Sequence, residues 1–205
     1  MAMLELLIEQ GVAKGFFEFN ELGKLDKSCC SKSALEVIDF DKTKEKIVAV
    51  NPSLQQPKSS DALKILPQLN RVDFIELKGF NKFIKYDKTK DFQKKIEKFD
   101  LAGKIKDSLL VLELLVKDKS IQFIKEDIKG YGHTEKYYFI VVDIEPSKEA
   151  IKDRLINLIF LSLKKTVSDL PDSPLHNLKK PKLLSCNQID RFYHDLVNKK
   201  TETPK

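Results

Sequence analysis

Eight residues near the middle of the chain, Val72-Asp-Phe-Ile-Glu-Leu-Lys-Gly79, set the tightest limits on what it can fold into. Aromatic and β-branched residues favour a strand here, and a strand sends successive side chains to opposite faces. Glu76 and Lys78 therefore share one face, while Ile75 and Leu77 share the other. Both faces carry apolar residues, which predicts a central strand covered on both sides. Two charges in such a place are costly unless something compensates them. A divalent cation together with a phosphodiester would compensate both.

The rest of the chain supplies a setting for that strand. Met3–Val12 has the 3.6-residue periodicity of a helix, with Leu4, Leu7, Ile8 and Val12 recurring on one side. Ser33–Asp39 and Lys46–Val50 suit two strands joined by a polar hairpin turn, Asp41-Lys-Thr-Lys-Glu45. A loop rich in Pro, Ser and Gln follows over Asn51–Ser60. Asp61–Leu66 then alternates as a strand and turns at Pro67-Gln-Leu-Asn70 into Arg71–Phe80. Asp91–Lys117 is helical, with Ile105, Leu109, Leu112 and Val116 on one stripe and Gly103 as a point of division. Lys136–Ile144 is a further buried strand, and Ser147 is placed to cap a helix running through Lys165.

After Pro171 the texture changes to a Lys- and Pro-rich linker and then a last amphipathic helix. Ser185 and Gln188 have capping-box spacing there, and Ile189, Phe192, Tyr193 and Leu196 form the apolar face. Two regions are expected: an α/β domain over 1–170, and a linker, amphipathic helix and disordered basic tail over 171–205. Strands alternating with helices argue for a mixed central sheet flanked by helices.

Composition narrows the function less than the strand does. The formal net charge is +6, and apart from Arg71, Arg154 and Arg191 the positive charge is lysine. That surplus favours a polyanionic partner only mildly, because a Lys- and Ile-rich composition also follows from an AT-rich genome. Three cysteines, two of them adjacent at Cys29-Cys30, match neither a disulfide framework nor the usual zinc spacings, and predict inert thiols. The acidic start of the chain is unlike a secretory signal, and the apolar stretch Leu155–Leu163 is too short to span a bilayer. A cytoplasmic protein with no membrane association is expected. His133, His176 and His194 are scattered, so a His-dependent mechanism has no support.

Asp61, Glu76 and Lys78, carried on an αβββαβ-like order with an added C-terminal helix, resemble the signature of the PD-(D/E)xK nuclease superfamily, the restriction-endonuclease-like fold. The phrase Arg71-Val-Asp-Phe-Ile-Glu-Leu-Lys-Gly79 after Ser60-Asp61 is similar to small uncharacterised prokaryotic members. In topology the resemblance spans roughly Ser33–Ile144, and in motif far less. Ser60 stands where the motif's Pro would be. Glu-x-Lys is a weak signal alone in a lysine-rich chain. Its weight comes from its place in a central strand behind a strand that begins at Asp61; the comparable Asp127-Ile-Lys129 lies in an unpatterned segment.

The resemblance implies a magnesium-dependent cut of DNA phosphodiester bonds, with manganese as substitute. Asp61 and Glu76 would be the ligands, joined by the backbone carbonyl of Leu77, and Lys78 would orient the attacking water or stabilise charge on the phosphate. The chemistry asks for such groups independently. Phosphodiesters repel hydroxide, and a hard cation neutralises them and acidifies bound water. Magnesium keeps several waters and takes one or two carboxylates. An acid on the first helix often completes such sites; Glu5 and Glu9 are both available, with Glu9 nearer the helix end, and Gln93 at the start of the next helix could reach a phosphate or metal-bound water. Asp73 has the wrong strand parity. Cutting both strands of a duplex commonly uses two sites, so a homodimer is a candidate state. The alternatives are a non-catalytic nucleic-acid-binding module, or a protein-interaction module that docks through its C-terminal helix.

Overall fold

Val72–Lys78 lies within β4 (Arg71–Lys78), which is buried along nearly its whole length and paired on both edges. The structure is a computed structural model and describes residues 3–26, 28–52, 54, 56–85, 92–117, 128–145 and 153–199. Around β4 lie β1 (Phe19–Glu21), β2 (Glu36–Asp39), β3 (Ala62–Leu66), β5 (Glu135–Val142) and β6 (Lys182–Ser185). They form one open six-stranded sheet in the order β1-β2-β3-β4-β5-β6. The first four strands are antiparallel to their neighbours, whereas β4, β5 and β6 run parallel. The protein is thus α/β with a mixed sheet, as its pattern predicts.

Side-chain parity along β4 divides the core. Val72 and Phe74 face a large layer made by α1 (Met3–Ala13), α2 (Phe40–Val50), α5 (Leu101–Lys117) and α6 (Asp153–Asp169). Ile75 and Leu77 face the opposite side, where α7 (Cys186–Asn198) and the segment before β2 supply Ile189, Tyr193, Leu22 and Leu25. Two short helices, α3 (Asn81–Lys85) and α4 (Phe92–Glu97), follow β4. The α7 side is pinned by a buried polar chain: Arg71 Nε donates to Asp73 Oδ1 at 2.6 Å, and Tyr193 Oη donates to Asp73 Oδ2 at 2.8 Å. Asp73 therefore serves the face away from Glu76. Burial raises its pKa, with Arg71 and Tyr193 opposing that rise.

Three local expectations need correction. The predicted hairpin turn 41–45 and strand 46–50 are a single helix, α2. Asp39 caps it by accepting Lys42 N–H at 3.0 Å, and Phe40, Thr43 and Ile47 are buried at helical spacing. The segment read as a linker after Pro171 contributes β6, whose residues Lys182–Ser185 pair in parallel with Phe139–Val142. The division in the helical region falls at Asp100, not Gly103. Asp100 adopts φ 46° between α4 and α5, and its Oδ1 accepts Gly103 N–H at 3.3 Å. An Asp tolerates the left-handed turn and then caps the next helix with its side chain.

The capping box at Ser185 and Gln188 is present, and Ile189 and Tyr193 are buried as expected. Asp91, Asp127, Ser147 and the basic tail from residue 200 lie outside the described residues. Among the described residues, no helix is long and apolar enough to cross a membrane. The cysteines depart from the expectation of inert thiols. Cys30 and Cys186 form a disulfide that ties the segment before β2 to the start of α7, with Cys29 free beside it.

Candidate active site at the end of β4

β4 outruns its antiparallel neighbour. β3 begins at Ala62, opposite Ile75, so Glu76, Leu77 and Lys78 extend past the last paired residue on that edge. The Leu77 N–H would be left without a ladder partner there. Asp61 supplies one: its Oδ2 accepts Leu77 N–H at 2.5 Å. A strand residue's N–H and C=O leave the same edge, so the Leu77 carbonyl opens on the Asp61 side as well.

Glu76 points to the other side of that junction and is fully buried. Its Oε1 takes the ammonium of Lys78 and, at 2.6 Å, that of Lys104. Its Oε2 accepts a hydrogen bond from Tyr138 Oη at 3.3 Å. The Lys78 ammonium also lies 5.0 Å over the Phe99 ring, a cation–π contact that limits where it can move. Asp61, Glu76 and Lys78 therefore meet at one corner of the sheet.

Helix α5 organises this corner. One turn after Lys104, Ser108 Oγ accepts Ser60 N–H at 2.8 Å. Lys58 N–H reaches Asp107 at 2.8 Å, and its ammonium reaches Asp100 at 2.6 Å. The same helix thus holds the segment leading to Asp61 and the carboxylate of Glu76. Beyond β4, Asp143 accepts the N–H groups of Phe80 at 2.5 Å and Asn81 at 3.2 Å, and Lys95 donates to the Gly79 carbonyl at 2.9 Å.

Electrostatics mark the corner as frustrated. Burial pushes the Asp61 carboxyl up to about 6, and the Glu76 charge pushes the same way against the Leu77 N–H, Lys104 and Lys78. Burial also raises Tyr138 far above the usual phenol range, with Glu76 and Asp61 adding to the effect. For Lys104, burial pulls down, but the charge and hydrogen bond of Glu76 outweigh it and the ammonium is stabilised. Lys78 and Lys104 balance Glu76, so the raised Asp61 carboxyl is the group that a cation would stabilise in its charged form.

Asp61, Leu77 and Lys78 line a cleft of about 540 Å³. Asp26, Asp39, Asp41 and Glu45 also line it, with Lys42 and Lys44 interspersed. The donor set suits magnesium or manganese: Asp61 and the Leu77 carbonyl at the cleft, and Glu76 behind, all hard oxygen. Glu76 would have to exchange one ammonium for the cation.

Of the two further candidates, Glu9 is exposed on α1, and Gln93 is exposed on α4, the helix whose Lys95 reaches the Gly79 carbonyl. Lys104 and Asp41 were not singled out from sequence. Lys104 had a usable signal: Leu101, Ser108, Val111 and Leu115 are all buried, and their spacing makes a helical seam with one lysine set into it. Asp41 was hidden by the mistaken hairpin. No family model, curated protein or solved structure matches this chain.

Proposed function

We propose that the chain is a metal-dependent nuclease that hydrolyses DNA phosphodiester bonds, with a restriction-endonuclease-like core. The single observation that carries this reading is the meeting of Asp61, Glu76 and Lys78 at the end of β4. The strand order supports it: an antiparallel β2-β3-β4 meander followed by a crossover through α5 to a parallel β5 corresponds to a βββαβ core preceded by α1. Strand β1, which lies between α1 and β2, and helix α2, inserted between β2 and β3, are departures from that core.

In this reading Asp61, Glu76 and the Leu77 carbonyl hold magnesium, which neutralises the phosphate and acidifies its bound water. Asp61 keeps its Oδ2 on the Leu77 N–H, so its position is set before any cation arrives. Lys78, which lines the cleft, would stabilise charge developing on the phosphate oxygens once it is released from Glu76. Lys104 remains with Glu76 and fixes its rotamer. Lys42 and Lys44 would have to leave Glu18 and Asp41 to receive the flanking phosphates.

The test is plasmid cleavage in magnesium or manganese. Wild type is expected to nick or linearise DNA, whereas Glu76→Ala and Lys78→Ala are expected to be silent. Wild-type protein inert on duplex and single-stranded DNA with both metals would refute the reading.

One observation favours a second reading, a nucleic-acid-binding module without turnover. Glu76 is already neutralised by Lys78 and Lys104, so the corner is close to charge balance without a cation. Binding would then need no metal and would fall steeply with salt.

A further inference from the structure

The three cysteines border the corner just described, with Cys29 against Gly79 at the end of β4, and their sulfurs are grouped within 4.8 Å of one another. Cys29 Sγ is 3.9 Å from Cys30 Sγ and 3.8 Å from Cys186 Sγ. A tetrahedral zinc ion with sulfur at about 2.3 Å sets its ligand sulfurs about 3.8 Å apart. Two edges of the Cys29–Cys30–Cys186 triangle therefore already have the length that a zinc site requires. The third edge is the disulfide, which opens on reduction.

We propose that in the reduced protein Cys29, Cys30 and Cys186 bind one zinc ion through three thiolates, with a water in the fourth position. Three convergent sulfurs select zinc over the hard cations suited to Asp61 and Glu76. The fourth position faces a cleft of about 260 Å³ that also carries Asp143 and Glu145. Both carboxylates have other partners. Asp143 accepts the N–H groups of Phe80 and Asn81, and Glu145 accepts Ser185 Oγ–H at 2.5 Å. Water is left as the fourth ligand.

The chemistry balances with a dithiol reductant. The dithiol gives two electrons and two protons, the Cys30–Cys186 bond breaks, and the reductant closes into its own disulfide. Zinc then displaces three thiol protons to solvent as three Zn–S bonds form. The covalent pair bridges 156 residues of sequence and joins the segment before β2 to the start of α7. Zinc makes the same tie in a reducing setting, where a disulfide does not persist. A lone staple needs only Cys30 and Cys186; a metal centre also uses Cys29, whose sulfur stands at ligand-to-ligand spacing from both.

The experiment uses full-length protein, reduced with dithiothreitol, freed of it under nitrogen and titrated with cobalt as a spectroscopic stand-in for zinc. The expected result is one cobalt per chain with a thiolate-to-metal charge-transfer band, displaced by zinc. Cys29→Ser keeps the disulfide pair and the wild-type fold by circular dichroism, yet after reduction should bind at least ~100-fold more weakly, the upper end of losses from even outer-shell changes. Asp61→Asn and Glu76→Gln should keep the band at full strength. Absence of the band in reduced wild type overturns the proposal, as does an undiminished band in Cys29→Ser. Peptide mapping that finds Cys29 bonded to Cys30 or Cys186 overturns it in favour of disulfide exchange.

Discussion

Replacing Asp61 by Asn should stabilise the metal-free protein, although it removes a group on which the proposed chemistry depends. The burial of Asp61 and the neighbouring Glu76 charge move its carboxyl from an ordinary 3.8 to about 6. A displacement of that size corresponds to ~3 kcal/mol between the charged and neutral forms in the folded state. The direction follows from linkage. A carboxyl whose folded pKa is raised binds its proton more tightly when folded, so its contribution is favourable below 3.8 and is lost as pH rises through about 6. Asn is neutral throughout and keeps an oxygen for the Leu77 N–H. In EDTA, Asp61→Asn and wild type should therefore have similar stability near pH 4, with the variant ahead by up to ~3 kcal/mol at pH 8. Urea unfolding followed by circular dichroism at several pH values measures the gap. Saturating magnesium should close it at pH 8 by stabilising wild type alone. A variant less stable than wild type at pH 8, or a gap independent of pH, would refute this reasoning.

Lys104→Ala breaks a nearly buried pair with Glu76 and should cost about 3 kcal/mol in urea unfolding, the lower end for such losses. The same variant should bind manganese no more tightly than wild type, because Lys104 stays with Glu76 when the cation arrives and holds its rotamer. Lys78→Ala should lower cleavage by at least ~100-fold yet bind manganese more tightly than wild type, because the ammonium that the cation displaces from Glu76 is gone; single-turnover rates and calorimetry read the two effects. Tyr193→Phe deletes the hydrogen bond to buried Asp73 and should destabilise by about 1–3 kcal/mol without changing metal binding. Asp39→Ala removes the cap on α2 and should cost ~1 kcal/mol in thermal or urea unfolding.

The parts of the fold that could be read from sequence were those with one unambiguous period. β4 declared itself because alternation fixed both the shared face of Glu76 and Lys78 and the opposite parity of Asp73, which the structure places with Arg71 and Tyr193. The capping box of α7 was likewise legible. Helix α2 was missed because its run is short and lysine-rich, with only Phe40, Thr43 and Ile47 buried; Val48 and Val50 gave it the look of a strand. β6 was missed because Pro181 and its lysines read as linker, while a parallel edge strand four residues long needs no alternation of its own. The cysteine triangle was invisible in principle. Cys186 is brought to Cys29 and Cys30 only by the sheet between them, which no spacing rule records. Lys104 lay between these cases: its seam was present, but a neighbouring apolar stripe on the same helix drew attention first.

The central claim is that Asp61 and Glu76 jointly hold one divalent cation at the end of β4. Manganese titration followed by electron paramagnetic resonance tests it most directly, because free manganese gives a sharp signal that binding broadens. With the cysteines kept oxidised, the account predicts one site per chain in wild type, lost in both Asp61→Asn and Glu76→Gln and retained in Lys78→Ala. No binding by wild type, or a site that survives both carboxylate substitutions, would contradict it.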